Sequence, residues 1–274
     1  QRHSVVYREM IVMEYLIIVI VCFLSSVVGA ICGIGGGVII KPVLDATGVM
    51  AVTTVSFLSG CTVLSMSIVS LYKSMKAKRD FDFDKVFATV LALGGVVGGL
   101  TGKELYQGIL RCLTDSSRVG AIQAFVLMLV TAGTLIYTIF KGKIHTKNVR
   151  SKAVIFLIGV VLGIMSSFLG IGGGPINLVV LFFFFSMATK QAAMYSIYVI
   201  MFSQISSLLS TVIKGNVPPF QPAVLLLMAA CGILGGLAGS RINKKIENET
   251  VDKLFMALMG LIICINIYNI FRYI

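Results

Sequence analysis

Residues 32–42 read CGIGGGVIIKP, and residues 169–178 read LGIGGGPINL. The pentapeptide GIGGG thus occurs twice, each time inside a hydrophobic run, although glycine weakens a helix by about 1 kcal/mol per residue. Each copy marks a place where a helix is expected to break. The runs around them are long and uncharged: 15–40, 46–72, 86–102, 119–140, 153–189, 191–213, 215–240 and 254–271. Each is near or above the roughly 18 to 20 residues that cross a bilayer as helix. The run 153–189 holds 37 residues with GIGGG at its centre. Its arms, 153–169 and 175–189, would measure roughly 26 and 22 Å against a hydrocarbon core of about 30 Å, so they read as short spans or a re-entrant pair. Non-helical backbone at that depth must be buried in protein or line a wet cavity, because lipid cannot satisfy its N–H and C=O groups. GIGGG is therefore expected to face away from lipid.

Composition agrees with that class. Of 274 residues, 57% are hydrophobic and 12% charged, whereas a soluble domain carries about 25% charged residues. The chain reads as an all-α polytopic membrane protein with the lipid bilayer as its surroundings and no soluble domain between spans. Its net charge of +12 sits in short loops rather than along one face or tail, which points to membrane topology and not to nucleic acid. The cysteines, Cys22, Cys32, Cys61, Cys112, Cys231 and Cys264, form no CxxC pair and have no histidine cluster near them; they read as small packing residues, with no metal site. The first apolar run is too long for a cleaved signal peptide and lacks an evident small-residue cleavage site. The chain opens on Gln1, which leaves Met10 and Met13 as candidate starts.

Chemical motifs are scarce. There is no GxxxxGK[ST], HExxH or GxSxG, GIGGGV lacks the GxGxxG spacing, and His3 and His145 lie in polar segments. No catalytic residue and no cofactor is expected, and the protein is not expected to be an enzyme. An energy source would be an ion gradient, the substrate's own gradient or a partner protein; the coupling ion is unknown at this level, and no buried Asp or Glu marks a proton relay.

A repeat organises the chain. A shift of 137 residues carries Gly33, Gly35, Gly36 and Gly37 onto Gly170, Gly172, Gly173 and Gly174, and carries VGGLTG at 97–102 onto LGGLAG at 234–239. Two transmembrane repeats follow, 1–140 and 153–274, joined by a basic linker at 141–152 expected to be cytoplasmic. Loops 73–85, 141–152 and 241–253 carry five, five and four Lys/Arg, while 103–118 and 214–221 carry three and one. The positive-inside rule then places equivalent loops on opposite faces, so the halves are expected to be inverted, each with about five hydrophobic segments, the first two folded back at GIGGG, and both termini outside. VGGLTG and LGGLAG lie in spans of ordinary length and read as close helix packing.

Inverted repeats with helices interrupted near the midplane are the plan of secondary transporters. A helix that starts after each break presents free N–H groups and a positive dipole end, which favour an anion by about 0.3 to 1 kcal/mol when exposed and up to about 2 when partly buried. Pro175 suits the first position of such a helix. The candidate substrate-binding residues are accordingly Gly33, Gly35, Gly36, Gly37, Gly170, Gly172, Gly173, Gly174, Pro175 and Asn177; the competing reading of the glycines is close packing alone. Asn177 fits an anion site or a helix-to-helix hydrogen bond equally well. Candidate cavity-lining residues are Lys41, Thr53, Ser56, Ser59, Gln191, Ser196 and Gln204. Of these, Lys41 has Asp45 four residues on and reads first as an ion pair or a snorkelling cation, and the Ser and Thr residues are common in helix packing. Tyr195, Tyr198 and the phenylalanines at 182–185 read as packing or lipid-facing aromatics.

The paired motifs GIGGGVIIKP, 33–42, and GIGGGP, 170–175, each followed by a short apolar arm and three further spans, resemble the TauE/SafE family of sulfite exporters, also called the toluene sulfonate uptake permease family, over about residues 13–272. The resemblance implies a permease for sulfite, sulfonates or related sulfur-containing anions in a bacterial or archaeal cell membrane. The second copy departs from the first, with Val179 where the first has Pro42 and with Pro175 directly after its glycines, so the half-sites are expected to be unequal. Substrate does not transfer with fold. An anion channel built on the same glycines, or a nontransport scaffold or sensor, are the other readings.

Overall fold

The computed structural model describes the backbone of residues 2–76, 83–112, 116–171 and 173–273, and the side chains of 13–76, 83–112, 118–171 and 173–273. Gly172 lies outside the described residues. The elements are α1 (Arg2–Cys32), α2 (Gly37–Thr47), α3 (Val52–Met75), α4 (Lys85–Cys112), α5 (Ser116–Phe140), a 3-10 turn (Lys141–Lys143), α6 (Lys152–Leu169), α7 (Pro175–Phe185), α8 (Thr189–Ile213), α9 (Pro222–Lys245) and α10 (Asn248–Tyr273). Among the described residues there is no strand, and eight helices are long and apolar enough to cross a bilayer. The remaining two, α2 and α7, have 11 residues each, about 17 Å, half of a hydrocarbon core.

Both short helices fold back. A Cβ placed on Gly36 would stand 3.2 Å from the backbone of Ser25 and Ser26, so the chain has already reversed by the time α2 begins. Ile40 and Leu44 then share a core with Ile18 and Cys22, progressively earlier residues of α1. In the second half, α7 returns to the linker that precedes α6: Lys147 N–H donates to Phe183 O at 2.7 Å and Val149 N–H to Phe184 O at 2.9 Å. These bonds satisfy two of the carbonyls that a helix leaves open in its last turn. α7 ends sooner than the 175–189 arm expected from the sequence, because Ser186 turns left-handed with φ 53°. The stretch 103–118, expected as a loop, instead begins as helix, α4 running on to Cys112.

The long helices pack across the linker rather than beside it. α4 lies against α6 and α8, and α9 lies against α1 and α3. The starts of α3 and α8, Val52 and Thr189, stand 137 residues apart, as do those of α4 and α9, Lys85 and Pro222. Glycine permits the approach. Cβ atoms on Gly94, Gly98 and Gly102 would fall 2.2, 2.0 and 2.5 Å from the carbonyl oxygens of Phe156, Val160 and Ile164, and one on Gly239 would fall 2.3 Å from Val27 O. This is the close packing expected of VGGLTG and LGGLAG. Gly98→Ala is expected to lower stability in detergent by about 1–3 kcal/mol, the usual cost of overpacking, while leaving anion preference unchanged; thermal unfolding with a parallel binding titration checks both.

The outward faces are apolar. Met13, Leu16, Ile20 and Leu24 on α1, and Ile122, Phe125, Leu129 and Ile136 on α5, recur every three, four or seven residues and are exposed. Such stripes on helices of this length are lipid-facing surface.

Candidate functional site

The two GIGGG breaks meet. A Cβ on Gly37 would lie 1.9 Å from Ile171 O, and one on Gly173 would lie 3.3 Å from Ile34 O, so each break touches the other's isoleucine. Ile34 and Ile171 are buried, at 0% and 1% exposure. The reversal needs left-handed backbone where each preceding helix stops: Gly33 has φ 75° and Gly170 φ 65°, a conformation open to glycine without steric cost. Neither α2 nor α7 has a side-chain cap at its start, and Pro175 occupies the first turn of α7. The N–H groups of both starts are thus left to backbone, water or solute.

The same geometry reassigns several glycines. Gly33 abuts Ala193 on α8, where a Cβ would fall 2.3 Å from Ala193 Cα; Gly36 abuts α1; Gly37 abuts Ile171. Protein, not open space, fills the room that their missing side chains leave. Gly174 differs: among the described residues, a Cβ there would meet only Ile171 Cδ1, at 3.4 Å.

Gly170 reaches a polar chamber. A small cavity of about 20 Å³ is lined by Gly170, Ser56, Ser167, Gln204, Lys103 and Tyr106 among others, and Gln123 stands at its wall. It has room for about one water. Phe57, Lys103 and Tyr106 also line a larger cavity of about 440 Å³, whose other walls include Thr53, Arg111 and Asn216. The two cavities, a vestibule and a smaller chamber, have Phe57, Lys103 and Tyr106 as a common wall. Lys103 Nζ sits 5.0 Å from the centre of the Tyr106 ring and pairs with no carboxylate among the described residues. The Tyr106 hydroxyl faces that of Ser56 without reaching hydrogen-bond geometry, and Ser56 Oγ, Tyr106 Oη and Gln123 Oε1 are all left without a partner among the described residues.

The remaining sequence candidates scatter. Asn177 Nδ2 donates to Ser196 Oγ at 3.3 Å, joining α7 to α8, while its Oδ1 has no partner among the described residues. Gln191 lines a separate cavity beside Asp84 and Arg150. Ser59 on α3 is buried and without a partner among the described residues. Lys41 Nζ binds Asp45 Oδ2 at 2.6 Å with both side chains nearly inaccessible, so its charge is spent within α2. Asp45, legible in the sequence as the partner of Lys41, is buried with it, whereas no buried Asp or Glu was expected.

Other residues went unnoticed as well. Gln123 Nε2 donates to Phe168 O at 2.6 Å and Asn243 Nδ2 to Ile31 O at 2.6 Å. Each amide satisfies a carbonyl in the last turn before a break, where lipid could not. A polar residue on a span is the available signal, yet nothing local tells which distant carbonyl it serves. Among the described residues, no group of three His, Cys, Asp or Glu could hold a metal ion.

Eight candidate spans and two half-length helices folded back at facing breaks define a multi-pass membrane protein. The family model for the sulfite exporter TauE/SafE matches residues 18–266. The chain belongs to that family, and is a membrane transporter rather than an enzyme. It is 25% identical to the probable membrane transporter protein YunE of Bacillus subtilis (strain 168), over 94% of this chain and 98% of that one. It is likewise 25% identical to the probable membrane transporter protein MJ0441 of Methanocaldococcus jannaschii, over 89% of this chain and 92% of that one. No solved structure matches the chain.

Proposed function

We propose that this transporter carries small sulfur-containing anions, sulfite or organosulfonates, out across the cytoplasmic membrane of a prokaryotic cell, by alternating access around the meeting point of its two breaks. The observation that carries the reading is the contact between the breaks, Gly37 on Ile171 and Gly173 beside Ile34, with two uncapped helix starts beside it. Substrate class is supported by the family's description, and the cell membrane by relatives from a bacterium and an archaeon.

Inversion of the repeats 1–140 and 153–274 about the linker 141–152 is part of the proposal. Supporting it, the start of the apolar, membrane-spanning part of α1 (Met13–Cys32) and the end of α4 both meet the 214–221 segment: Tyr15 Oη donates to Gln221 Oε1 at 2.7 Å, and Asn216 Nδ2 to Gln107 Oε1 at 2.9 Å. The opposite end gathers the linker with the starts of α8 and α10. Lys141 pairs with Asp252, and Thr189 Oγ1 donates to Asp252 Oδ1 at 2.9 Å. Inversion requires the spanning part of α1 and its repeat equivalent α6 to start at opposite ends, and these contacts support it. The linker end carries the larger share of Lys and Arg in its loops and is read as cytoplasmic.

Proteoliposomes loaded in turn with sulfite, taurine, thiosulfate and sulfate test the reading, with flux followed with and without a proton gradient. Saturable sulfite or sulfonate flux is expected. Single-channel currents far above carrier turnover would replace the carrier by a channel, and absence of flux for every anion would overturn transport of this class.

A further inference from the structure

The vestibule and its chamber differ from the cavities beside α1 and beside the linker in having no carboxylate in their walls. The cavity beside α1 has Glu14 and no Lys or Arg in its walls, and the one beside the linker has Asp84 together with Arg150 and Lys152. The route to Gly170 has Lys103 and Arg111 in its walls and no Asp or Glu. Arg111 is exposed, whereas Lys103 is half-buried at the boundary of vestibule and chamber.

The repeat sharpens the point. The positions 137 residues away from Lys103, Tyr106 and Gln123 are Ser240, Asn243 and Gly260, and the position 137 before Ser167 is Ala30. The charged recognition set is therefore present in one half only. A single inner cation neutralises one negative charge; a second charge on the solute would remain uncompensated where water is scarce, at a cost of several kcal/mol per buried ion in general.

Resting on the anion-transport reading above, we propose that Lys103, with the hydroxyls of Tyr106 and Ser56 as neutral donors, forms the anion-recognition site of this transporter and selects singly charged oxyanions, such as a sulfonate or hydrogensulfite, over dianions such as sulfate. The ammonium meets the anion at the inner wall of the vestibule. The buried hydroxyls of Tyr106 and Ser56 act from behind Lys103, through the single water for which the chamber has room. Lys214 lines neither cavity and is paired with Glu104.

Calorimetric titration of the purified full chain with methanesulfonate, a permanent monoanion, and with sulfate tests the site, alongside proteoliposome flux of the same two anions. The wild type is expected to bind methanesulfonate at least ~10-fold more tightly than sulfate, Lys103→Gln to lose at least ~10-fold of that affinity, and Lys103→Arg to keep most of it, a hydrogen bond to a charged group being worth about 1.5–3 kcal/mol. Tyr106→Phe, which removes one hydroxyl only, is expected to weaken binding several-fold and serves if Lys103→Gln does not fold. Equal binding by wild type, Lys103→Gln and Tyr106→Phe, tighter binding of sulfate, or no binding beside intact flux would overturn the site and leave the transport reading standing. Lys103-dependent binding without flux of any anion would uphold the site and overturn the transport reading.

Discussion

Gly37→Ala is expected to abolish transport and to destabilise the fold, because the added Cβ would fall 1.9 Å from Ile171 O and 2.9 Å from Val63 Cγ2. A backbone carbonyl held in a loop cannot swing aside as a flexible side chain can, so the breaks must separate. Overpacking of this kind costs about 1–3 kcal/mol, and here it falls on the contact that brings the two halves together. Gly174→Ala is the matched control. Its Cβ would stand 3.4 Å from Ile171 Cδ1, and its backbone is extended, with φ −165°, which any residue adopts. The variant is expected to unfold at the wild-type temperature yet to lose roughly 10-fold in flux, since a methyl group there holds a solute away from the N–H groups that open α7. Wild-type flux in Gly174→Ala together with lost flux in Gly37→Ala would assign the motif to packing alone.

Lys41→Met is expected to cost about 3–5 kcal/mol of stability, the usual result of leaving one member of a buried ion pair alone. Lys41 and Asp45 are 4% and 6% exposed in their side chains, and Asp45 Oδ1 has no other partner. Around them, Asn269 Nδ2 donates to Pro42 O at 2.8 Å and Arg272 donates to Ala46 O, tying α2 to α10. The carboxylate stranded by Lys41→Met would have to be protonated or pull water inward. The double variant Lys41→Met/Asp45→Leu removes both charges and is expected to recover most of the loss. Thermal unfolding of the three proteins in one detergent decides it; equal stability of Lys41→Met and wild type would show that the pair contributes nothing.

Much of this architecture could be read from local features. Hydropathy marks the spans because each must bury or expose about 20 apolar residues, and three adjacent glycines mark a break because no helix is well served by them. Lys41 with Asp45 was legible at a spacing of four. Tertiary partners were not. Lys103 closes a hydrophobic run in the sequence and so reads as the start of a loop, whereas α4 continues for further turns and brings it beside Tyr106 and the vestibule. Gln123 and Asn243 serve carbonyls 45 and 212 residues away, separations that leave no local pattern. The glycines' freedom was also read too simply: at Gly33, Gly36 and Gly37 it is neighbouring backbone, not a solute, that needs the space.

The most direct measurement is a density map of the protein in lipid nanodiscs with methanesulfonate at saturation. It should show the carbonyls of Ile34 and Ile171 packed against Gly173 and Gly37, no acyl chain beside either break, and anion density against Lys103 at the inner wall of the vestibule, on the side of Gly170. Acyl-chain density between the breaks, or an anion held away from them with Lys103 turned to solvent, would contradict the account.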